Sequence, residues 1–152
     1  MITVPDAEAM RDLGSRLAPL LQAGDLVVLS GGLGAGKTTL VQGLGVGLDI
    51  RGPVTSPTFV IARVHPPLHG GPPLVHVDAY RIGDLAEVDD LDLDATLADS
   101  VTVVEWGEGK VEGLTEDRLE LRIDRGPDAD DTRTVTVTGV GARWDGVRVD
   151  LA

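Results

Sequence analysis

"DLVVLSGGLGAGKTTLVQGL" (residues 25–44) passes from an apolar run through a glycine-rich turn to a lysine, then into a second apolar segment. Lys37 and Lys110 are the only lysines among 13 basic residues, so a lysine at position 37 needs a reason. Residues 26–30 read as a short buried strand and residues 37 to about 48 as a helix. Between them, Gly31-Gly32-Leu33-Gly34-Ala35-Gly36-Lys37-Thr38 fits G-x-x-x-x-G-K-[ST], the P-loop. Its glycines let the backbone curl so that successive N–H groups face one anion, and the helix N-terminus adds partial positive charge. In that setting Lys37 reaches the β- and γ-phosphates of a nucleoside triphosphate, and Thr38 Oγ holds Mg²⁺. A flexible point charge suits a triphosphate, even in a chain that otherwise uses arginine. The bland alternative, a strand-to-helix turn that binds nothing, leaves the lysine unexplained.

Working outward, Met10, Leu13, Leu17, Leu20 and Leu21 recur at helical spacing behind the capping candidate Asp6, with Gly24 and Asp25 as the stop. Gly43, Gly45 and Gly47 in the second helix each cost about 1 kcal/mol relative to Ala, and close packing on a sheet is the expected compensation. Strands are expected within 57–65, at 74–80 and at 101–106, with one or two short helices between the last two. "RLELRI" (118–123) and "TRTVTVTG" (132–139), separated by a polar turn, form an antiparallel hairpin, and 140–152 reads as a further strand or a terminal arm. The expected fold is α/β and three-layered, P-loop NTPase-like, its mixed sheet parallel at the centre and antiparallel at an edge, flanked by helices. Residues 1–152 read as one domain.

A P-loop needs an acid near the metal. Two candidates end apolar runs: Asp78 after "LVHV" and Glu105 after "VTVV". "VTSPTF" (54–59) offers Thr55, Ser56 and Thr58 where nucleotide-sensing loops often lie, against the alternative of a proline-kinked strand entry. Of the four aromatics, Phe59, Tyr80 and Trp106 adjoin these polar groups and suggest a site wall; Trp144 stands apart. Asp90, Asp92 and Asp94 imitate a calcium loop, but Ala95 replaces its glycine and Val101 its bidentate acid. His65, His69 and His76 show no zinc-site spacing. With no asparagine in the chain, the N-K-x-D guanine signature is excluded, which favours ATP over GTP.

The net charge is −12, from 25 acidic and 13 basic residues, so most of the surface repels a phosphate backbone and argues against direct nucleic-acid binding. There is no cysteine, which removes disulfides and thiolate metal sites and is compatible with a reducing compartment. Neither a secretory leader nor an apolar run of about 18 residues is visible. The expectation is a soluble, cytoplasmic protein with no membrane association.

Taken in order, "GGLGAGKTT", "SPTF", "HVDAYR" (76–81) and "VEWGE" (104–108) resemble the TsaE family, the bacterial ATPases of tRNA threonylcarbamoyladenosine biosynthesis. The similarity spans roughly residues 6–123; the P-loop is widely shared, but the four motifs together are specific. The resemblance implies an ATPase using ATP and Mg²⁺ that supports the TsaD–TsaB complex, which modifies tRNA adenosine 37. With a net charge of −12 the chain is expected to meet tRNA only through that complex, and to be a monomer when alone. It further implies that Gly34, Ala35, Gly36, Lys37, Thr38 and Thr39 hold the phosphates, and that Thr38 and Glu105 hold Mg²⁺. Asp78 becomes a catalytic or switch acid beside Lys37 and Glu105, Trp106 flanks the site, and Thr3 and Arg133 are further nucleotide contacts. Gly107 stands where the family commonly has proline, and "PPLHGGPP" (66–73) is a longer connection than usual. Two other readings remain at this point: a small-molecule P-loop kinase, for which no compact arginine cluster provides a lid, and a nucleotide-dependent binding module without useful turnover.

Overall fold

β2 (Leu26–Gly31) is apolar at every position from Leu26 to Leu29 because it has a parallel neighbour on each side and both its faces are buried. The computed structural model describes residues 2–31, 36–50, 62–78, 98–105, 117–125 and 132–145. The other strands are β1 (Ile2–Val4), β3 (Ala62–His65), β4 (Leu74–Asp78), β5 (Val101–Glu105), β6 (Arg118–Arg125) and β7 (Arg133–Val140). They form one seven-stranded sheet in the order β1-β7-β6-β2-β5-β4-β3. β6, β2, β5 and β4 run parallel, while β7 joins β6, and β3 joins β4, antiparallel. The expected parallel centre is present, and antiparallel strands close it on both sides rather than one. β1 pairs with β7 (Thr3 opposite Thr134) and was not foreseen, since three residues give too little alternation to read.

α1 (Ala7–Leu17) and α2 (Lys37–Gly47) form a core with one face of the sheet. Asp6 caps α1 by accepting the Ala9 N–H at 2.8 Å, a cap worth about 1 kcal/mol. α1 buries Met10, Leu13, Gly14 and Leu17, then stops earlier than its periodicity predicts. The reason is Pro19, which has no N–H to give the Ser15 carbonyl; the chain tightens into a 3₁₀ turn over Ala18–Leu20.

α1 and α2 cross closely at glycine positions. A methyl on Gly43 would stand 1.8 Å from Arg11 O; on Gly14, 2.1 Å from Leu40 O; on Gly47, 2.6 Å from Ala18 Cβ. At Gly14 and Gly43 the helices touch backbone to backbone, and at Gly47 α2 meets Ala18 and Ser15 O, so the packing that needs glycine at 43 and 47 is against α1 and the turn that follows it.

Val27 and Leu29 of β2, Val101 and Val103 of β5, and Leu119, Leu121 and Ile123 of β6 meet the helices. On the opposite face Val28, Val75, Val77, Thr102 and Val104 are also buried, whereas β6 turns Arg118, Glu120, Arg122 and Asp124 outward and pairs them along the strand. At the amino ends of the central strands, Asp25 is buried and chelated by Arg143 through Nε at 3.0 Å and Nη2 at 3.1 Å. Arg143 also donates to Leu20 O at 2.9 Å and stacks 4.3 Å from the Trp144 ring centre. Trp144 is buried at the end of a 3₁₀ turn (Ala142–Trp144), so the segment after β7 begins as a clasp rather than a strand. No helix among the described residues is long and apolar enough to cross a membrane.

Candidate nucleotide and magnesium site

After β2 the chain crosses to β3 and β4, returns to β5 beside β2, and then places β6 on its other side. β2 therefore sits where the winding reverses, and the carboxyl ends of strands at such a point form a crevice for ligands. The loop that leaves β2 enters α2 through Gly36, whose φ of +110° lies in the left-handed region that favours glycine. No side chain caps α2. Its first ladder bond runs from Leu40 N to Gly36 O at 3.0 Å, so the N–H groups of Lys37, Thr38 and Thr39 have no acceptor within the helix. A helix start of this kind suits an anion.

Lys37, buried at 5% exposure, folds back to donate from Nζ to Gly31 O at 2.8 Å and ties the two ends of the loop together. One residue on, Thr38 Oγ1 lies 3.5 Å from both Oε1 and Oε2 of Glu105, the last residue of β5. That separation is at the outer limit of a hydrogen bond, so hydroxyl and carboxylate face each other without either being spent on the other. Hard oxygen donors in this pairing fit Mg²⁺, which takes one or two protein ligands and completes its shell with phosphate and water. No group of three or more His, Cys, Asp or Glu that could hold a metal is found among the described residues.

The sheet register brings the two candidate acids together: Asp78, last in β4, is directly opposite Glu105. Arg133 starts β7 opposite Arg125 and Val4, at the same carboxyl edge, and donates to Thr132 O at 3.1 Å. Thr3 is exposed on β1, one residue out of step with Val4, so alternation directs it to the other face of the sheet from Arg133. Thr39 is half-buried in the first turn of α2. Gly34, Ala35, Trp106 and the "SPTF" motif lie outside the described residues, as does the side chain of Asp78.

One neighbour of the site escaped the sequence reading. His76 is fully buried on β4, and its Nε2 lies 2.5 Å from Glu105 Oε2. Its position in "HVDAYR", two residues before an acid on a strand, was the available signal, since alternation puts both on one face.

Strand order, helix placement and the uncapped glycine entry to α2 define an α/β protein of the P-loop NTPase-like class. The family described as "Threonylcarbamoyl adenosine biosynthesis protein TsaE" matches residues 4–135. The chain belongs to the TsaE family. A Streptomyces coelicolor protein named tRNA threonylcarbamoyladenosine biosynthesis protein TsaE is 74% identical over 138 residues, covering 89% of this chain and 93% of the relative. A Mycobacterium tuberculosis H37Rv protein of the same name is 52% identical over 141 residues, covering 88% and 83%. The crystal structure of Bacillus subtilis YdiB superposes with a TM-score of 0.74 at 32% identity, covering 95% of this chain and 87% of that one.

Proposed function

We propose that this chain is a cytoplasmic Mg²⁺-dependent ATPase that serves threonylcarbamoyladenosine formation at adenosine 37 of tRNA by acting on the TsaD–TsaB complex. The observation that carries the chemistry is the convergence of Lys37, Thr38 and Glu105 at the uncapped start of α2. Lys37 places its ammonium at the triphosphate, and the N–H groups of the first helical turn, which have no acceptor within the helix, receive phosphate oxygens. Thr38 and Glu105 would hold Mg²⁺, which supplies charge neutralisation at the transferred phosphoryl group. Asp78, across from Glu105, orients the attacking water or senses the γ-phosphate. Arg133 is a further candidate for nucleotide contact, with Trp106 beside the metal ligand.

The family membership supports the tRNA role, and the names of the relatives supply the modification. An acidic chain of net charge −12 reaches tRNA through a partner rather than by itself. The test measures ATP hydrolysis by the chain alone and with TsaD–TsaB, beside Lys37→Ala. The expected outcome is slow turnover alone, faster turnover with the complex, and nucleotide binding lost or strongly weakened in Lys37→Ala by calorimetry with Mg²⁺ present. Near-normal affinity in that variant overturns the phosphate assignment, and tight binding to bare tRNA overturns the route through a partner.

A further inference from the structure

We infer that His76 is a positioning residue for Glu105, fixing one carboxylate oxygen so that the other is presented with Thr38 to the metal; this rests on the reading of Glu105 as an Mg²⁺ ligand. His76 and Glu105 lie on adjacent parallel strands, with His76 in register with Val103, so the imidazole reaches diagonally along the face shared with α2. Its Nε2 meets Glu105 Oε2 at 2.5 Å, and both side chains are almost wholly buried, at 0% and 8% exposure. A carboxylate only accepts, so Nε2 carries the proton and donates. Nδ1 is buried without a hydrogen-bond partner among the described residues. The ring is thus committed through one nitrogen, and that nitrogen is aimed at Glu105.

Both Glu105 oxygens lie 3.5 Å from the Thr38 hydroxyl, and without the His76 contact the Glu105 side chain would regain its rotamer freedom. With it, Oε2 is held from the β4 side and the carboxylate plane is set. Such outer partners commonly matter by about 10- to 100-fold in metal affinity. The donor position also discriminates between two amides: a glutamine side chain places its NH₂ near the site of Nε2, whereas asparagine stops near Nδ1.

The experiment titrates Mg²⁺ into the full chain saturated with the non-hydrolysable analogue AMPPNP, following heat, for wild type, His76→Gln, His76→Asn and His76→Leu. Affinity for AMPPNP in EDTA and the thermal midpoint are measured in parallel. Expected is a Mg²⁺ affinity near wild type for His76→Gln and a loss of about 10- to 100-fold for His76→Asn and His76→Leu, with affinity in EDTA unchanged. If His76→Leu fails to fold, the Gln and Asn pair decides alone. Equal Mg²⁺ affinity in those two, or wild-type affinity in all variants, overturns the role of His76. A wild-type chain that binds AMPPNP in neither EDTA nor Mg²⁺ overturns the nucleotide reading itself.

Discussion

Gly43→Ala adds one methyl at the tightest point of the α1–α2 contact. Built on the present backbone, that carbon stands 1.8 Å from Arg11 O and 2.6 Å from Arg11 C, where ordinary contact begins at 3.4 Å. The helices must part by about 1.6 Å locally, the difference between 3.4 and 1.8 Å. The atoms in the way are backbone, so no rotamer change relieves them. Overpacking of this kind costs about 3 kcal/mol, the upper end of the usual range. Replacing a mid-helix glycine returns about 1 kcal/mol of helix propensity, leaving a net loss of about 2 kcal/mol. For a domain of this size that lowers the thermal midpoint by roughly 4–8 °C. Urea unfolding followed by circular dichroism reads the free energy directly. Gly71→Ala is the control, because its methyl meets nothing closer than 3.7 Å, and it should stay within about 0.5 kcal/mol of wild type. A Gly43→Ala protein as stable as wild type refutes the close crossing.

Three further outcomes are expected. Glu105→Ala should weaken Mg²⁺-dependent hydrolysis by weakening metal binding, whereas Asp78→Ala should slow turnover with less effect on Mg²⁺ affinity; the reverse pattern in Mg²⁺ titrations exchanges their roles. Arg143→Ala should cost about 2–3 kcal/mol in denaturant unfolding, because it leaves Asp25 buried and unpaired, somewhat less than for a fully buried pair since Arg143 is 24% exposed. With Trp144→Phe, the remaining Trp106 should change its fluorescence on adding ATP and Mg²⁺, whereas unmoved emission removes Trp106 from the site.

The strand-turn-helix unit at 25–44 was legible because three local signals agree: a buried apolar run, a glycine-rich turn and a lysine at the helix start. The β6–β7 hairpin was legible for the same reason, since alternation and a polar turn are both local. What escaped depends on partners far along the chain. Leu20 and Leu21 kept helical spacing although Pro19 had ended the α-helical ladder, and both still pack toward the core from the 3₁₀ turn and its exit. Gly43 and Gly47 make sense only once α1 lies across α2. Asp78 and Glu105 were visible as two acids ending two apolar runs, but their alignment follows from a β4–β5 register that no short segment encodes. His76 looked like an isolated histidine, because its meaning lies in the neighbouring strand.

The placement of β2 also governs the order in which the site can come into being. Its Leu26 pairs with Thr102, a separation of 76 residues, and its Val27 with Leu119, a separation of 92. Closing such long loops precedes the reward of the contacts, which slows folding. During synthesis the phosphate loop leaves the ribosome long before either flanking strand, and Glu105 before β6. The nascent chain therefore carries the lysine without the sheet that aims it, and the acid arrives with β5 as one of the two strands that confine β2. If nucleotide binds only the finished arrangement, as proposed, it stabilises this late-forming centre by mass action, and ligand present during refolding should favour completion of the sheet.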